Sequence, residues 1–344
     1  MRDQGPDVTI AGAGVLGLSC ALALAEAGCR VSVRDPGGPG ANASGVAAGM
    51  LAPAFEAILD EQARPHLGLL LHARDLWPAW AQRTGIELDR SGALAVGDDQ
   101  WLGELFNRFV ALDLRPAELP AAAARGLAPG LSESVGGALL TREDWRLDAR
   151  VALTALRAAG EAAGVTYRAE PVKAREAGLL VIATGASPSL GDLAPELSCL
   201  SPIKGHIVRF AAPWAGGAVV RARGAYAAPG HDSLSIGATM EPGLADSAVD
   251  PGKAAPLRAA AGGLFPALTG APSEIFAGVR AATPDGLPLA GASTAPGVFL
   301  AVGARRNGWL LAPLVAQVVA AAITGGDPGR FASRLDPARL SEGA

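Results

Sequence analysis

A chain of 344 residues, half of it hydrophobic, with 29 basic and 33 acidic side chains and a formal charge of -4, is long enough for about two domains and a large core. Its mixed charge excludes the basic footprint of a nucleic-acid binder and a polybasic membrane patch, and because lysine stands only at Lys173, Lys204 and Lys253, arginine by itself carries little functional message. Three cysteines, Cys20, Cys29 and Cys199, and four histidines, His66, His72, His206 and His231, show neither disulfide nor ligand spacing, which points to a reducing, cytoplasmic compartment and to no bound metal.

Near the start, Val8-Thr-Ile-Ala-Gly-Ala-Gly-Val-Leu-Gly17 joins an apolar β-run to Gly12-x-Gly14-x-x-Gly17, and an apolar helix follows from Val15 to about Ala27. In such a unit the first glycine permits a tight turn, the second lets a pyrophosphate approach the backbone, and the third lets helix and sheet pack closely. The helix N-terminus offers amides and a positive dipole end to phosphate. A second strand, Cys29 to Val33, ends at Asp35, 23 positions after Gly12, where a carboxylate can accept hydrogen bonds from ribose hydroxyls. The unit reads as a dinucleotide site, without separating FAD from NAD. Asp3 and Asp7 precede the helix, which argues against a signal-peptide core.

Pro36 to Gly45 is rich in chain breakers, and Val46-Ala-Ala-Gly-Met-Leu-Ala-Pro53 is built of small residues. Such backbone suits a planar ring or a helix-packing turn equally, and its place after the glycine motif favours the cofactor. Glu56 to about Thr84 has helical periodicity, and His66 and His72 within it fall on different faces. Leu88 to Val96 predicts a strand, Trp101 to Leu112 a helix, Ala117 to Leu131 an alanine-rich helix or loop, and Asp148 an N-cap for a helix to about Ala163. Leu179-Leu-Val-Ile-Ala-Thr-Gly185 fits a buried third strand reaching the ligand-binding edge of the first sheet. From Pro202 short runs at Ile207–Phe210, Ala218–Val220, Ala225–Ala228 and Leu234–Ile236 suggest an antiparallel sheet, with a helix from Pro251 to Pro266 over it. Phe276 to Arg280 and a buried strand, Val298 to Val302, follow. The last apolar stretch, Gly308 to Ile323, is too short to span a membrane and holds Pro313 and Gln317, so it predicts a buried helix whose N-terminus faces the sheet edge.

Six ordered blocks carry a resemblance: Ala47-Ala-Gly-Met-Leu-Ala-Pro53, Pro202-Ile-Lys-Gly205, Tyr226-Ala-Ala-Pro229, Ile236-Gly-Ala-Thr-Met240, Ala277-Gly-Val-Arg280 with Thr283-Pro-Asp-Gly286, and Arg306-Asn-Gly-Trp-Leu-Leu-Ala-Pro313. Through nearly the whole chain the sequence resembles the D-amino-acid-oxidase-like FAD oxidoreductases, most closely the glycine oxidases of thiamine biosynthesis. The resemblance implies an α/β fold: a Rossmann-like FAD-binding domain from residues 1–75, 145–201 and 276–344, with an inserted antiparallel-sheet substrate domain from 76–144 and 202–275. It implies non-covalent FAD, held by Gly12, Gly14, Val15, Gly17, Asp35, Ser44, Ala47, Ala48, Gly49, Met50, Thr184, Gly185, Arg306, Asn307, Gly308 and Trp309. Arg280 resembles the arginine that binds the substrate carboxylate, Tyr226 and Arg306 its neighbours, and Met50 and Met240 an apolar wall.

The activity so implied is oxidation of a small amino acid, glycine first, by hydride transfer to flavin N5. The imine hydrolyses to the 2-oxo acid and ammonia, and O2 becomes H2O2. Rival readings are a dehydrogenase passing electrons to a quinone or carrier, and a non-catalytic flavin-binding protein. The expected partners are the amino acid and O2, not nucleic acid or a membrane, and a homo-oligomer is compatible with this. Several positions depart from the family. Arg305 stands where an aromatic residue is usual, Gly230 where an arginine follows the proline, and Ser187-Pro188 where tryptophan and serine are common. The stretch between Val172 and Leu179 is shorter than the family's β-meander, which is expected to loosen that region and reduce cofactor affinity.

Overall fold

The computed structural model describes residues 5–211 and 217–343; residues 1–4 (Asp3 among them), 212–216 and 344 lie outside the described part. Its first sheet has six strands in the order Leu289–Ala292, Val298–Val302, Leu179–Ile182, Asp7–Ala11, Arg30–Arg34, Thr166–Arg168. Neighbours pair in parallel except Leu289–Ala292 against Val298–Val302. Val8, Ile10, Val181 and Ile182 are at most 2% exposed, as central strands covered on both faces must be. The expected third strand is therefore present, beside the first.

The helix Val15–Glu26 packs against Ala149–Ala162 and Gly308–Thr324. Asp148 caps Ala149–Ala162, its Oδ1 accepting from the Arg150 and Val151 amides at 2.9 and 3.1 Å. Gly308–Thr324 is apolar around most of its circumference and sits in the core, which is the usual fate of such a helix in a globular protein. Among the described residues no helix is long and apolar enough to cross a membrane.

The second sheet has nine strands. Its path runs Glu241–Pro242, Ser201–Ala211, Ser233–Gly237, Ala225–Pro229, Val219–Ala222, Ala93–Val96, Gly137–Thr141, Ala117–Pro120, and Glu274–Ala282 pairs with Ser201–Ala211 off that path. The expected antiparallel sheet is mixed, because Val219–Ala222 runs parallel to Ala93–Val96. Alternation along the strands makes two faces. Leu94 and Val96 pack towards the helix Pro251–Leu264, whereas Ala93 and Ala95 face Phe55, Leu105 and Phe109 on Pro53–Leu59 and Asp99–Ala111.

Several boundaries differ from the sequence pattern. The helical stretch 56–84 is three helices, Pro53–Leu59, Leu67–Asp75 and Trp77–Thr84, because Pro65 and Pro78 each occupy a helix start. Ala117–Leu131 is an edge strand, Ala117–Pro120, followed by a helix, Ala121–Leu127; Pro120 ends the one and precedes the other. Leu88–Val96 keeps only Ala93–Val96 as strand, with Asp89 bridged to Arg146. The short stretch 169–178 is tied down: Arg34 donates to both Glu176 oxygens at 2.6 and 2.7 Å, Arg175 donates to the Pro296 carbonyl at 2.6 Å, and Val172 is buried.

Candidate active site

The glycine turn opens on a cleft of about 930 Å³ that Gly12, Gly14, Val15, Asp35 and Ser44 line together with Thr184 and Gly185. Gly12 has φ +111°, and its amide donates to the Arg34 carbonyl at 2.8 Å. A Cβ there would strike the Ala183 carbonyl, so the position needs glycine on both counts. Gly17 faces away from the cleft: a Cβ on it would overlap the Gly12 carbonyl and press on Ala183, which is the close helix-to-sheet approach expected of the third glycine. The Val15 amide donates to Ser44 Oγ at 3.0 Å, and Asp35 accepts from the Ala13 and Gly37 amides at 2.7 and 2.8 Å. Ser187 and Pro188 also border the cleft.

The helix Val15–Glu26 has no side-chain cap at Gly14, and Gly308–Thr324 has none at Asn307. Both ends carry a positive dipole end, the Val15 amide being taken by Ser44 Oγ, and both border the cleft through Gly14 and Gly308. That donor set, with an acidic residue at the second strand end and a glycine where backbone must be bare, fits a dinucleotide. Ala47, Ala48, Gly49 and Met50, with Arg306, Asn307 and Trp309, lie one step further on, around a second cavity. Trp309 fixes this region, since its Nε1 donates to the Ser44 carbonyl while its own carbonyl accepts from Trp77 Nε1, each at 3.1 Å.

The second cavity, about 300 Å³, is lined by Arg280, Tyr226, Arg306, Met50 and Met240. Residues from three strands and two loops thus meet in one place. Ala43, Val46, Gly278 and Arg280 line both spaces, so cavity and cleft adjoin. Two glycines make the room. A Cβ at Gly205 would overlap the Arg280 guanidinium and one at Gly237 the Tyr226 hydroxyl, which explains glycine in the Pro202–Gly205 and Ile236–Met240 blocks.

Arg280 is half-buried and reaches only the Thr239 carbonyl, at 3.5 Å, and Met240 Sδ, at 3.7 Å. Among the described residues no carboxylate pairs with it. Burial lowers its pKa from the usual arginine range, and burial raises that of Tyr226 in spite of the guanidiniums of Arg280 and Arg221 nearby. Met240, 38% exposed, sits at the mouth.

Three acidic groups and one arginine at this site are absent from the sequence-based set. Arg306 Nη2 holds Glu56 Oε2 at 2.6 Å and Asp60 Oδ2 at 3.0 Å, and Arg305 pairs with the same Asp60. Glu56 and Asp60 stand four apart at one end of the Ala47–Pro53 block, a spacing that puts both on one helix face. Asp144 is fully enclosed and accepts from the Ala54 and Phe55 amides at 2.8 and 3.2 Å, capping Pro53–Leu59 from a distant segment. Burial pushes its pKa up to about 7 against the pull of Arg221 and those amides. Arg221 faces Tyr226 directly across a hairpin whose turn is Arg223-Gly224; the two-residue turn was the signal that could have paired them.

Residues 7–322 match the family model described as DAO, FAD dependent oxidoreductase. The chain is 31% identical over 359 residues to the glycine oxidase of Geobacillus kaustophilus, covering 91% of this chain and 92% of that protein. It is 31% identical over 347 residues to the bifunctional protein ThiO/ThiG of Trichormus variabilis and spans about half of that longer protein, 52%. The crystal structure of the Geobacillus kaustophilus glycine oxidase superposes with a TM-score of 0.82 at 28% identity, covering 98% of this chain and 99% of the other. With the match running from the first strand into the last helix, the chain belongs to the DAO family of FAD-dependent oxidoreductases.

Proposed function

We propose that this protein oxidises a small amino acid, glycine first, with FAD held non-covalently in the cleft. One observation carries the reading: Arg280 stands in the cavity beside the nucleotide cleft with no carboxylate partner among the described residues. A guanidinium there offers parallel N–H donors that grip a substrate carboxylate and fix the α-carbon towards the cleft. The Tyr226 hydroxyl is kept neutral by burial and serves as a hydrogen-bond donor or acceptor beside it. Met50 and Met240 exclude water on the apolar side.

Gly14, Val15 and Ser44 would hold the pyrophosphate, and Asp35 retains lone pairs for the ribose hydroxyls after accepting two amides. Cys20, Cys29 and Cys199 lie far in sequence from the last blocks, which supports non-covalent binding. When bound, FAD would accept the hydride at N5 and pass the electrons to O2, giving H2O2. The amino acid, having lost its α-hydride, becomes an imine that water hydrolyses to the 2-oxo acid and ammonia. The uncapped N-terminus of Gly308–Thr324 favours negative charge at that end of the cleft. A relative from Rhizobium etli, 33% identical over 346 residues and named as a thiamine biosynthesis oxidoreductase, supports a place in the same pathway for this chain.

The test is the visible spectrum of the purified protein, recorded without oxygen before and after glycine and again in air. Bleaching of a flavin band by glycine, with recovery and peroxide release in air, is the expected result. A flavin band that neither glycine nor sarcosine nor any D-amino acid bleaches would refute the reading.

A further inference from the structure

The substrate cavity holds more positive charge than glycine can neutralise. Arg221, Arg280 and Arg306 line it, against the single carboxylate of Glu56. Glu56 is taken by Arg306. Arg221 and Arg280 are left without an ion pair among the described residues, and the carboxylate of one amino acid matches only one of them.

Arg221 is the less expected of the two. It is 7% exposed, and its guanidinium lies 5.6 Å from the Phe55 ring centre and 5.5 Å from that of Tyr226. Its Nε and Nη2 are closed off from solvent and make no hydrogen bond. Buried charge of this kind is costly unless something neutralises it, and because Arg221 lines the cavity, a counter-ion bound there would lie beside it. Asp144 feels the charge of Arg221, but its hydrogen bonds go to the Ala54 and Phe55 amides and no hydrogen bond or ion pair joins it to Arg221 among the described residues. Its raised pKa also leaves it short of full charge at neutral pH.

The sheet sets the two arginines on well-separated strands. Arg280 lies on Glu274–Ala282 and Arg221 on Val219–Ala222, with three strands between them, so the side chains enter the cavity from its two ends. Gly205 and Gly237, on two of the intervening strands, leave the floor bare.

We propose that the cavity is built for an amino acid bearing a second carboxylate, with Arg280 receiving the α-carboxylate and Arg221 the distal one. This rests on the amino-acid oxidase reading above. Arg221 acts as a specificity-determining residue, and the two-electron oxidation at the α-carbon is unchanged.

Binding and turnover test it separately. Holoenzyme is titrated calorimetrically with acetate, malonate and succinate, none of which carries an amine to oxidise. At least one dicarboxylate is expected to bind tenfold or more tighter than acetate, and Arg221→Met to reduce that ratio below threefold while Arg221→Lys retains most of it. Equal binding of mono- and dicarboxylates by the unmodified protein would overturn the proposal whatever the variants do, as would a ratio that survives Arg221→Met. Anaerobic flavin reduction by glycine and by iminodiacetate is then compared. A higher kcat/KM for iminodiacetate, lost in Arg221→Met, is expected. Flavin reduction by glycine with no dicarboxylate advantage refutes the second site and spares the oxidase reading; dicarboxylate-selective binding with no amine reducing the flavin refutes the oxidase reading and with it the substrate assignment made here.

Discussion

Replacing Arg280 by methionine keeps the length and removes the charge at the residue on which the oxidase reading depends. The native guanidinium makes only a 3.5 Å contact to the Thr239 carbonyl and a 3.7 Å contact to Met240 Sδ, so the substitution breaks no ion pair. A hydrogen-bonded charge gripping a carboxylate is worth about 2–3 kcal/mol, so the dissociation constant for glycine should rise roughly 30- to 150-fold. Loss of the clamp also frees the α-carbon to rotate away from the cleft, and the limiting rate of flavin reduction should fall about tenfold or more. Stability should move the other way, because a partly buried cation without a partner disfavours the folded state. The assay is anaerobic stopped-flow reduction over a range of glycine concentrations, paired with a thermal melt. A glycine dissociation constant within threefold of the native value would show that the carboxylate does not sit on Arg280.

Gly205→Ala places a Cβ in the Arg280 guanidinium; we expect a loss of about 1–3 kcal/mol from overpacking and a larger relative loss in kcat/KM, read by melts and by flavin reduction. In Asp60 burial raises the carboxyl pKa, but the Arg305 hydrogen bond and the charges of Arg305 and Arg306 outweigh it and hold the group below the usual range. Its contribution is therefore present above about pH 4 and lost as pH falls through the lowered value, and Asp60→Asn should cost about 2 kcal/mol at pH 7 with little difference from the native protein in acid. Asp144 has the opposite sign: with a folded pKa of about 7 it binds more protons folded than unfolded between about pH 4 and 7, so stability should fall as pH rises through that window. Asp144→Asn should flatten the fall, by at most about 3 kcal/mol, in melts taken from pH 5 to 8.

Legibility followed the range of the interactions. The glycine turn, its strand and helix, and the Leu179–Ile182 and Val298–Val302 strands are local patterns, and each appears where its residues predict. The five residues proposed for the substrate cavity meet there although more than two hundred positions separate Met50 from Arg280 and Arg306; only the family resemblance could gather them. What escaped was carried by partners distant in sequence. Thr166–Arg168 is a strand because it pairs with Arg30–Arg34, not because of its own three residues. Met50–Leu51 and Trp145–Arg146 are strands only through each other. Asp144 has no local sign that it caps a helix ninety positions away.

The helix Pro53–Leu59 shows why one arginine near the site is matched in charge and another is not. It carries Glu56 and Asp60 on one face, and those carboxylates take up Arg306 and the unusual Arg305. Arg305 is thus matched inside the protein: an added cation has an anion four residues beyond Glu56 to meet it, and the pair lies to one side of the substrate cavity. The same helix presents Phe55 to Arg221, an aromatic face that attracts a cation without cancelling its charge. No carboxylate on that helix pairs with Arg221 among the described residues, and Asp144 at its N-terminus, which feels the charge of Arg221, spends its hydrogen bonds on two amides. A matched charge and an unpaired one thus lie within a single helix's reach. Were Arg221 merely tolerated, a carboxylate paired with it would have stabilised the fold at no cost to a glycine-sized substrate. That no such pair is present among the described residues supports a ligand that brings the carboxylate in.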